Sequence, residues 1–165
     1  MKFSRTLGVA AAAVALIGIS DVTANASGSR FIKSVYSDKC AGVGSEWGNG
    51  APVIQWTCNP NARDQSWLFV PTTDANGARA YFLKNDHSGK CMGVGSELGN
   101  GAPAIQYSCN GSVDEKWWYA NGVFRNVYSG KCLGTGSEKG QGARLIQWSC
   151  NGAVDELFAI SPGPN

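Results

Sequence analysis

The chain has 165 residues with 14 basic and 12 acidic side chains, a formal net charge of +2 and no basic run, which argues against electrostatic binding of nucleic acid or an anionic membrane. Glycine is abundant, with 22 residues, and no long stretch carries a helical apolar period, so an all-β chain rich in turns is expected. With one histidine, His87, and no tight Cys-x-x-Cys pair, no zinc-ligand set is present, and neither metal nor cofactor is expected.

In chain order, Lys2 and Arg5 precede an apolar run from Leu7 to Ile19, and Ala24-Asn25-Ala26 follows as a small-residue cleavage site. This pattern predicts a secretory signal peptide over residues 1–26, with one domain over 27–165 and an extracellular location. The apolar run is shorter than the ~20 residues a membrane-spanning helix needs, so no membrane insertion is expected.

Phe31 to Tyr36 is β-rich and reads as a first strand, and Ser37-Asp38-Lys39 as a turn. Cys40 to Val43 is a second strand, Gly44 to Pro52 a Gly/Asn-rich loop, and Val53 to Cys58 a third strand. Asn59 to Asp64 is a further loop, and Gln65 to Val70 a fourth strand. The same unit returns from Ser88 and again from Ser129. Three units, about 30–71, 80–120 and 122–161, mark a repeat architecture of twelve short strands.

The one irregular insertion is Pro71 to Ala80, expected to be a surface loop; Tyr81-Phe82-Leu83 restarts the pattern. Asn121-Gly122 is a hairpin signal at the head of the third unit. The last strand is expected at Glu156 to Ile160, with a frayed tail from Ser161 to Asn165. Closure of the strands with pseudo-threefold symmetry would remove exposed edges. Trp67, Trp117 and Phe158 recur at one repeat position and are expected in the core near the axis.

Cys40, Cys58, Cys91, Cys109, Cys132 and Cys150 fall as one pair per unit, each pair 18 positions apart. Repeat symmetry selects Cys40–Cys58, Cys91–Cys109 and Cys132–Cys150 as disulfides, and a secreted chain favours their oxidation. Each closes a short loop and should contribute about 3 kcal/mol.

Ile54-Gln55-Trp56-Thr57-Cys58 with Gln65-Ser66-Trp67 resembles the ricin B-type lectin domain. So do Ile105-Gln106-Tyr107-Ser108-Cys109 with Glu115-Lys116-Trp117, and Ile146-Gln147-Trp148-Ser149-Cys150 with Glu156-Leu157-Phe158. The likeness spans nearly all of 27–165 and is to the secreted bacterial single-domain form of that family. It implies a β-trefoil with up to three sugar sites.

The family's sugar site places an aspartate two residues after the first cysteine and an aromatic two residues before the second. The aromatics here are Trp56, Tyr107 and Trp148, whose rings can stack on a sugar's apolar face. At the aspartate position stand Gly42, Gly93 and Gly134. Where the family usually has asparagine before Gln-x-Trp, this chain has Asp64, Asp114 and Asp155. These carboxylates are expected to take over the missing role, with the glycines making room; charged acceptors make the stronger hydrogen bonds. Gln55, Gln106, Gln147, Asn59, Asn110 and Asn151 are secondary candidates.

The expected function is a monomeric carbohydrate-binding protein for galactose-type sugars or polysaccharides, its units one and three the better sites. Catalysis is not expected. A glycosidase uses one carboxyl pair across one bond, whereas the carboxylates here recur in triplicate on turns. Asp86-His87-Ser88 are sequence neighbours and do not form a triad converging from separate elements. The alternative is an interaction or protease-inhibitor protein on the same scaffold, with Pro71–Ala80 as its protruding loop.

Overall fold

The computed structural model describes residues 28–163. The expected signal peptide and the last two residues of the tail lie outside the described residues.

Twelve strands form one sheet: β1 (Arg30–Ser34), β2 (Lys39–Gly42), β3 (Ile54–Thr57), β4 (Ser66–Thr73), β5 (Arg79–Asn85), β6 (Cys91–Gly93), β7 (Ile105–Tyr107), β8 (Lys116–Ala120), β9 (Val123–Asn126), β10 (Cys132–Gly134), β11 (Ile146–Trp148) and β12 (Phe158–Pro162). β1, β4, β5, β8, β9 and β12 follow one another around a ring. Its last seam is the Val123↔Leu157 bridge, where Phe158 N–H donates to the Gly122 carbonyl at 2.8 Å. The hairpins β2–β3, β6–β7 and β10–β11 cap one end. This is the β-trefoil that the family resemblance implied, closed with the pseudo-threefold symmetry of the repeats.

The three caps meet in a triangle of backbone hydrogen bonds. Val53 N–H donates to the Ala104 carbonyl (2.8 Å), Ala104 N–H to Leu145 (2.9 Å) and Leu145 N–H to Val53 (2.9 Å). All three residues are fully buried, so each unpaired polar group would carry a desolvation cost that the triangle removes.

The core is stacked in threes of equivalent residues: Ile32, Leu83 and Phe124; Ala41, Met92 and Leu133; Trp67, Trp117 and Phe158. The two tryptophans also donate from Nε1 to the carbonyls of Ala41 (2.9 Å) and Met92 (2.8 Å), which satisfies a buried indole that would otherwise be costly. The cysteines pair as repeat symmetry predicts, Cys40–Cys58, Cys91–Cys109 and Cys132–Cys150.

Three local expectations need correction. The residues before each core aromatic are not extended: Arg63–Gln65, Val113–Glu115 and Val154–Glu156 are single 3-10 turns, and the following strand starts after them. Pro71–Ala80 is no free loop, since β4 and β5 continue in register to Thr73↔Arg79. Only 74–78 turns, and that turn is held down by Trp118 Nε1 donating to Asp74 Oδ2 (3.2 Å) and Lys116 Nζ to the Thr73 carbonyl (3.0 Å). The tail is not frayed at its start: Ser161 and Pro162 belong to β12, opposite Phe31 and Arg30.

Candidate functional site

Each repeat brings the same parts together, and in repeats one and three they line a cleft. The β2–β3 hairpin, or its equivalent, carries the aromatic; the 3-10 turn carries the aspartate; the glycine strand lies between them. Trp56, Tyr107 and Trp148 are 47%, 45% and 44% exposed, so they are surface platforms and not core residues.

The aspartates sit over the glycines. A Cβ at Gly42 would lie 3.1 Å from Asp64 Oδ2, one at Gly93 2.9 Å from Asp114 Oδ2, and one at Gly134 3.2 Å from Asp155 Oδ2. Only a residue without a side chain leaves that space. Two of the carboxylates are fixed by backbone donors: Gly44 N–H to Asp64 Oδ2 at 3.2 Å, and Gly95 N–H to Asp114 Oδ2 at 3.0 Å. Oδ1 of Asp64 makes no hydrogen bond among the described residues. In repeat two the Ser112 hydroxyl bonds Asp114 Oδ1, so both carboxylate oxygens there are already engaged. Ala62 and Ala153 stand at the Ser112 position in the other repeats and cannot do this.

The repeat-one cleft has a volume of about 840 Å³ and is lined by Gly42, Glu46, Ile54, Trp56, Asn59 and Asp64 among others. The repeat-three cleft, about 640 Å³, is lined by Glu138, Arg144, Ile146, Trp148, Asn151 and Asp155 among others. Both fall in the ~300–1,000 Å³ range of small-molecule sites. A neighbouring repeat closes each from behind. A Cβ at Gly142 (φ +77°) would come 3.3 Å from the Trp56 ring, and one at Gly101 (φ +82°) 3.6 Å from Trp148.

The secondary candidates divide. Asn59, Asn110 and Asn151 are exposed. Their Oδ1 atoms accept the N–H of Asn61 (3.0 Å), Ser112 (2.8 Å) and Ala153 (2.8 Å). Gln55, Gln106 and Gln147 are fully buried, which removes them as direct sugar ligands. They stitch one repeat to the next: Nε2 donates to the carbonyls of Glu138 (2.8 Å), Glu46 (2.6 Å) and Glu97 (2.6 Å). Oε1 of Gln55 and Gln106 accepts the hydroxyls of Ser37 (2.5 Å) and Ser88 (2.7 Å), while buried Gln147 Oε1 has no partner among the described residues.

Two positioning residues escaped the sequence reading. Buried Asn85 donates from Nδ2 to the Asp64 carbonyl at 2.7 Å, and Asn126 does the same to Asp114 at 2.7 Å. Each belongs to the repeat after the cleft it supports. The recurrence of asparagine at this position in repeats two and three was the available signal; repeat one has Ser34 there.

The residue after each aspartate is framework as well. Gln65 Oε1 accepts the Asn59 N–H (3.0 Å), and its next neighbour Pro60 has no N–H to offer. In repeat two the corresponding glycine, Gly111, does offer one, and Glu115 uses Oε2 for both Asn110 N–H (3.1 Å) and Gly111 N–H (3.1 Å). Burial pushes the Glu115 carboxyl above its ordinary value, against the pull of those two donors and with Asp114 adding a smaller push upward. The folded protein therefore holds this proton more tightly than the unfolded chain does. The group's stabilising contribution is full below the ordinary carboxylate range and is lost as pH rises through the raised value. Denaturation midpoints of wild type and Glu115→Gln, measured from about pH 4 to about pH 7, should drift apart in favour of the glutamine variant as pH rises. A pH-independent difference would show that Glu115 titrates normally.

The chain matches the family described as ricin-type beta-trefoil lectin domain-like, over residues 21–107 and again over 63–148. No curated protein matches it. Among solved structures it is similar to the designed threefold-symmetric protein ThreeFoil, at 27% identity and TM-score 0.72, covering 80% of this chain and 96% of that one. It is similar to the earthworm R-type lectin C-half solved with GalNAc, at 18% identity and TM-score 0.62, covering 82% and 98%. It also resembles part of an exo-beta-1,3-galactanase from Clostridium thermocellum, at 22% identity and TM-score 0.73, covering 82% of this chain and 30% of that enzyme.

Proposed function

The chain belongs to the ricin-type β-trefoil lectin-like family, and on that premise we propose that it is a secreted, single-domain, non-catalytic lectin for galactose-type sugars or galactose-containing polysaccharides. The observation that carries this reading is the pairing, in one cleft, of a half-exposed tryptophan with a carboxylate that fills the space left by a glycine. A pyranose needs both: a flat apolar surface for its C–H face and a charged acceptor for its hydroxyls. Repeats one and three are the stronger sites, because each has tryptophan and no serine competing for the aspartate. Repeat two has tyrosine and an aspartate already bonded at both oxygens.

The galactose-type ligand is carried over from the earthworm lectin, whose C-half is solved with GalNAc and a C-terminal domain mutant with 6'-sialyllactose. Three disulfides are consistent with an extracellular setting. Weak sites in tandem gain avidity on a polymeric ligand through effective concentration. The inhibitor alternative has the weaker support, because the 74–78 turn is bonded back to β8 and does not protrude as a free loop.

Calorimetric titration with galactose tests the carboxylate role. The variant Asp64→Ala/Asp114→Ala/Asp155→Ala should lose about 1.5–3 kcal/mol per site, at least tenfold in affinity, the usual worth of a hydrogen bond to a charged group. Binding retained at wild-type strength would refute the substitution of aspartate for aspartate across the cleft.

A further inference from the structure

Trp47 is the largest of the exposed apolar side chains that lie outside the aromatic platforms. It sits in the β2–β3 loop and is 54% exposed, the same exposure as Val35 and the highest of any aromatic side chain described. It is not isolated. The His87 imidazole, from the next repeat, meets it edge-on with ring centroids 4.0 Å apart and planes at 60°, so the two rings form a corner.

That corner is built onto the repeat-two cleft. The Glu46 carbonyl accepts Gln106 Nε2 (2.6 Å), and Gly50 N–H donates to the Gln106 carbonyl (2.8 Å). Asn49 Oδ1 accepts both the N–H (3.0 Å) and the hydroxyl (3.1 Å) of Ser108. On the other side, Ser88, next to His87, donates from its hydroxyl to Gln106 Oε1 at 2.7 Å. Gln106 and Ser108 are the two chain neighbours of Tyr107. Both halves of the corner are thus fastened to the residues that hold the Tyr107 platform.

Among the described residues the corner occurs at this junction alone. At the equivalent positions the next junction has Leu98 and Tyr128, and the third has Lys139, whose Nζ lies 3.9 Å from the centre of the Tyr36 ring. Repeat two is also the cleft with the smaller aromatic and the occupied aspartate, so it gains most from an added surface.

We propose that Trp47 and His87 form a second carbohydrate subsite beside Tyr107, taking the next unit of a neutral glycan chain whose end rests on Tyr107. The inference rests on the lectin reading and deepens it. Two rings at an angle offer a C–H-rich pyranose apolar surface on two sides. The Glu46 carboxylate, chain neighbour of Trp47, disfavours an acidic sugar, while Asp86 beside His87 is paired with Arg63 at 3.0 Å. The weak single site thereby becomes one that prefers chains over monosaccharides.

The test uses the Trp56→Ala/Trp148→Ala background, which leaves repeat two as the remaining cleft. Galactose and a neutral β-galacto-tetrasaccharide are titrated against it with and without Trp47→Lys. Lysine is the residue repeat three carries at this position, and Trp47→Leu, matching Leu98, serves as a second variant that the fold accommodates. The ratio of tetrasaccharide to galactose affinity should fall about tenfold in either variant, the worth of one aromatic contact. An unchanged ratio overturns the subsite. So does a background chain that binds no sugar while wild type does, since Tyr107 would then anchor no chain to extend. If wild type itself binds no glycan, the lectin reading fails first and the subsite falls with it.

Discussion

A chain carrying Gly93→Asp is expected to lose about 3 kcal/mol of stability, and the double change Gly93→Asp/Asp114→Asn to recover only the part due to charge repulsion. The new Cβ would stand 2.9 Å from Asp114 Oδ2, closer than Cβ atoms come, and 3.3 Å from the Asp114 carbonyl oxygen, a tight approach to backbone. A second carboxylate would also face the first across the same space, and like charges at that range cannot both stay ionised without cost. Asparagine at 114 removes the charge conflict and restores the residue pair that the family ordinarily carries. Gly42→Asp and Gly134→Asp should cost less, in the order of their 3.1 and 3.2 Å approaches to carboxylate oxygens. Urea denaturation reads all of these; equal stabilities for wild type and Gly93→Asp would mean that the aspartate turn is loose, and the exchange of roles between the two positions would lose its structural basis.

Removing the aromatic platforms should act on binding and leave folding intact. Trp56→Ala/Trp148→Ala deletes two rings that are nearly half exposed, so the core and the β-ring lose little. At a sugar site each ring supplies area burial and π contact worth together roughly 2 kcal/mol, or about 30-fold per site. On a surface displaying many sugars the two losses compound, because avidity depends on simultaneous engagement.

Much of this architecture was legible in the repeats. Three copies of Ile-Gln-aromatic-x-Cys gave the strand β3 and its equivalents, the disulfide pairing and the core position of Trp67, Trp117 and Phe158, because a threefold unit must bury the same position three times. The glutamines were harder to place. A polar residue between an isoleucine and a tryptophan on a strand alternates to the inner face, and its burial depends on partners from another repeat, such as Glu138 for Gln55, 83 residues away. Local sequence carries no sign of such a partner. The 3-10 turns at Arg63–Gln65 and its equivalents were missed because three residues are too few for any period to show. Asn85 and Asn126 were missed because each serves the cleft of the preceding repeat. The Trp47–His87 corner lay hidden for the same reason, its two rings coming from different repeats.

The measurement that tests the central claim most directly is a glycan array probed with the oxidised chain and, beside it, with Trp56→Ala/Trp148→Ala. The account predicts signal on galactose-terminated glycans from wild type and the loss of most of it, leaving only what repeat two carries, from a variant whose circular dichroism and thermal transition remain those of the folded protein. A silent array from well-folded wild type, or a variant that binds as strongly as wild type, would contradict it.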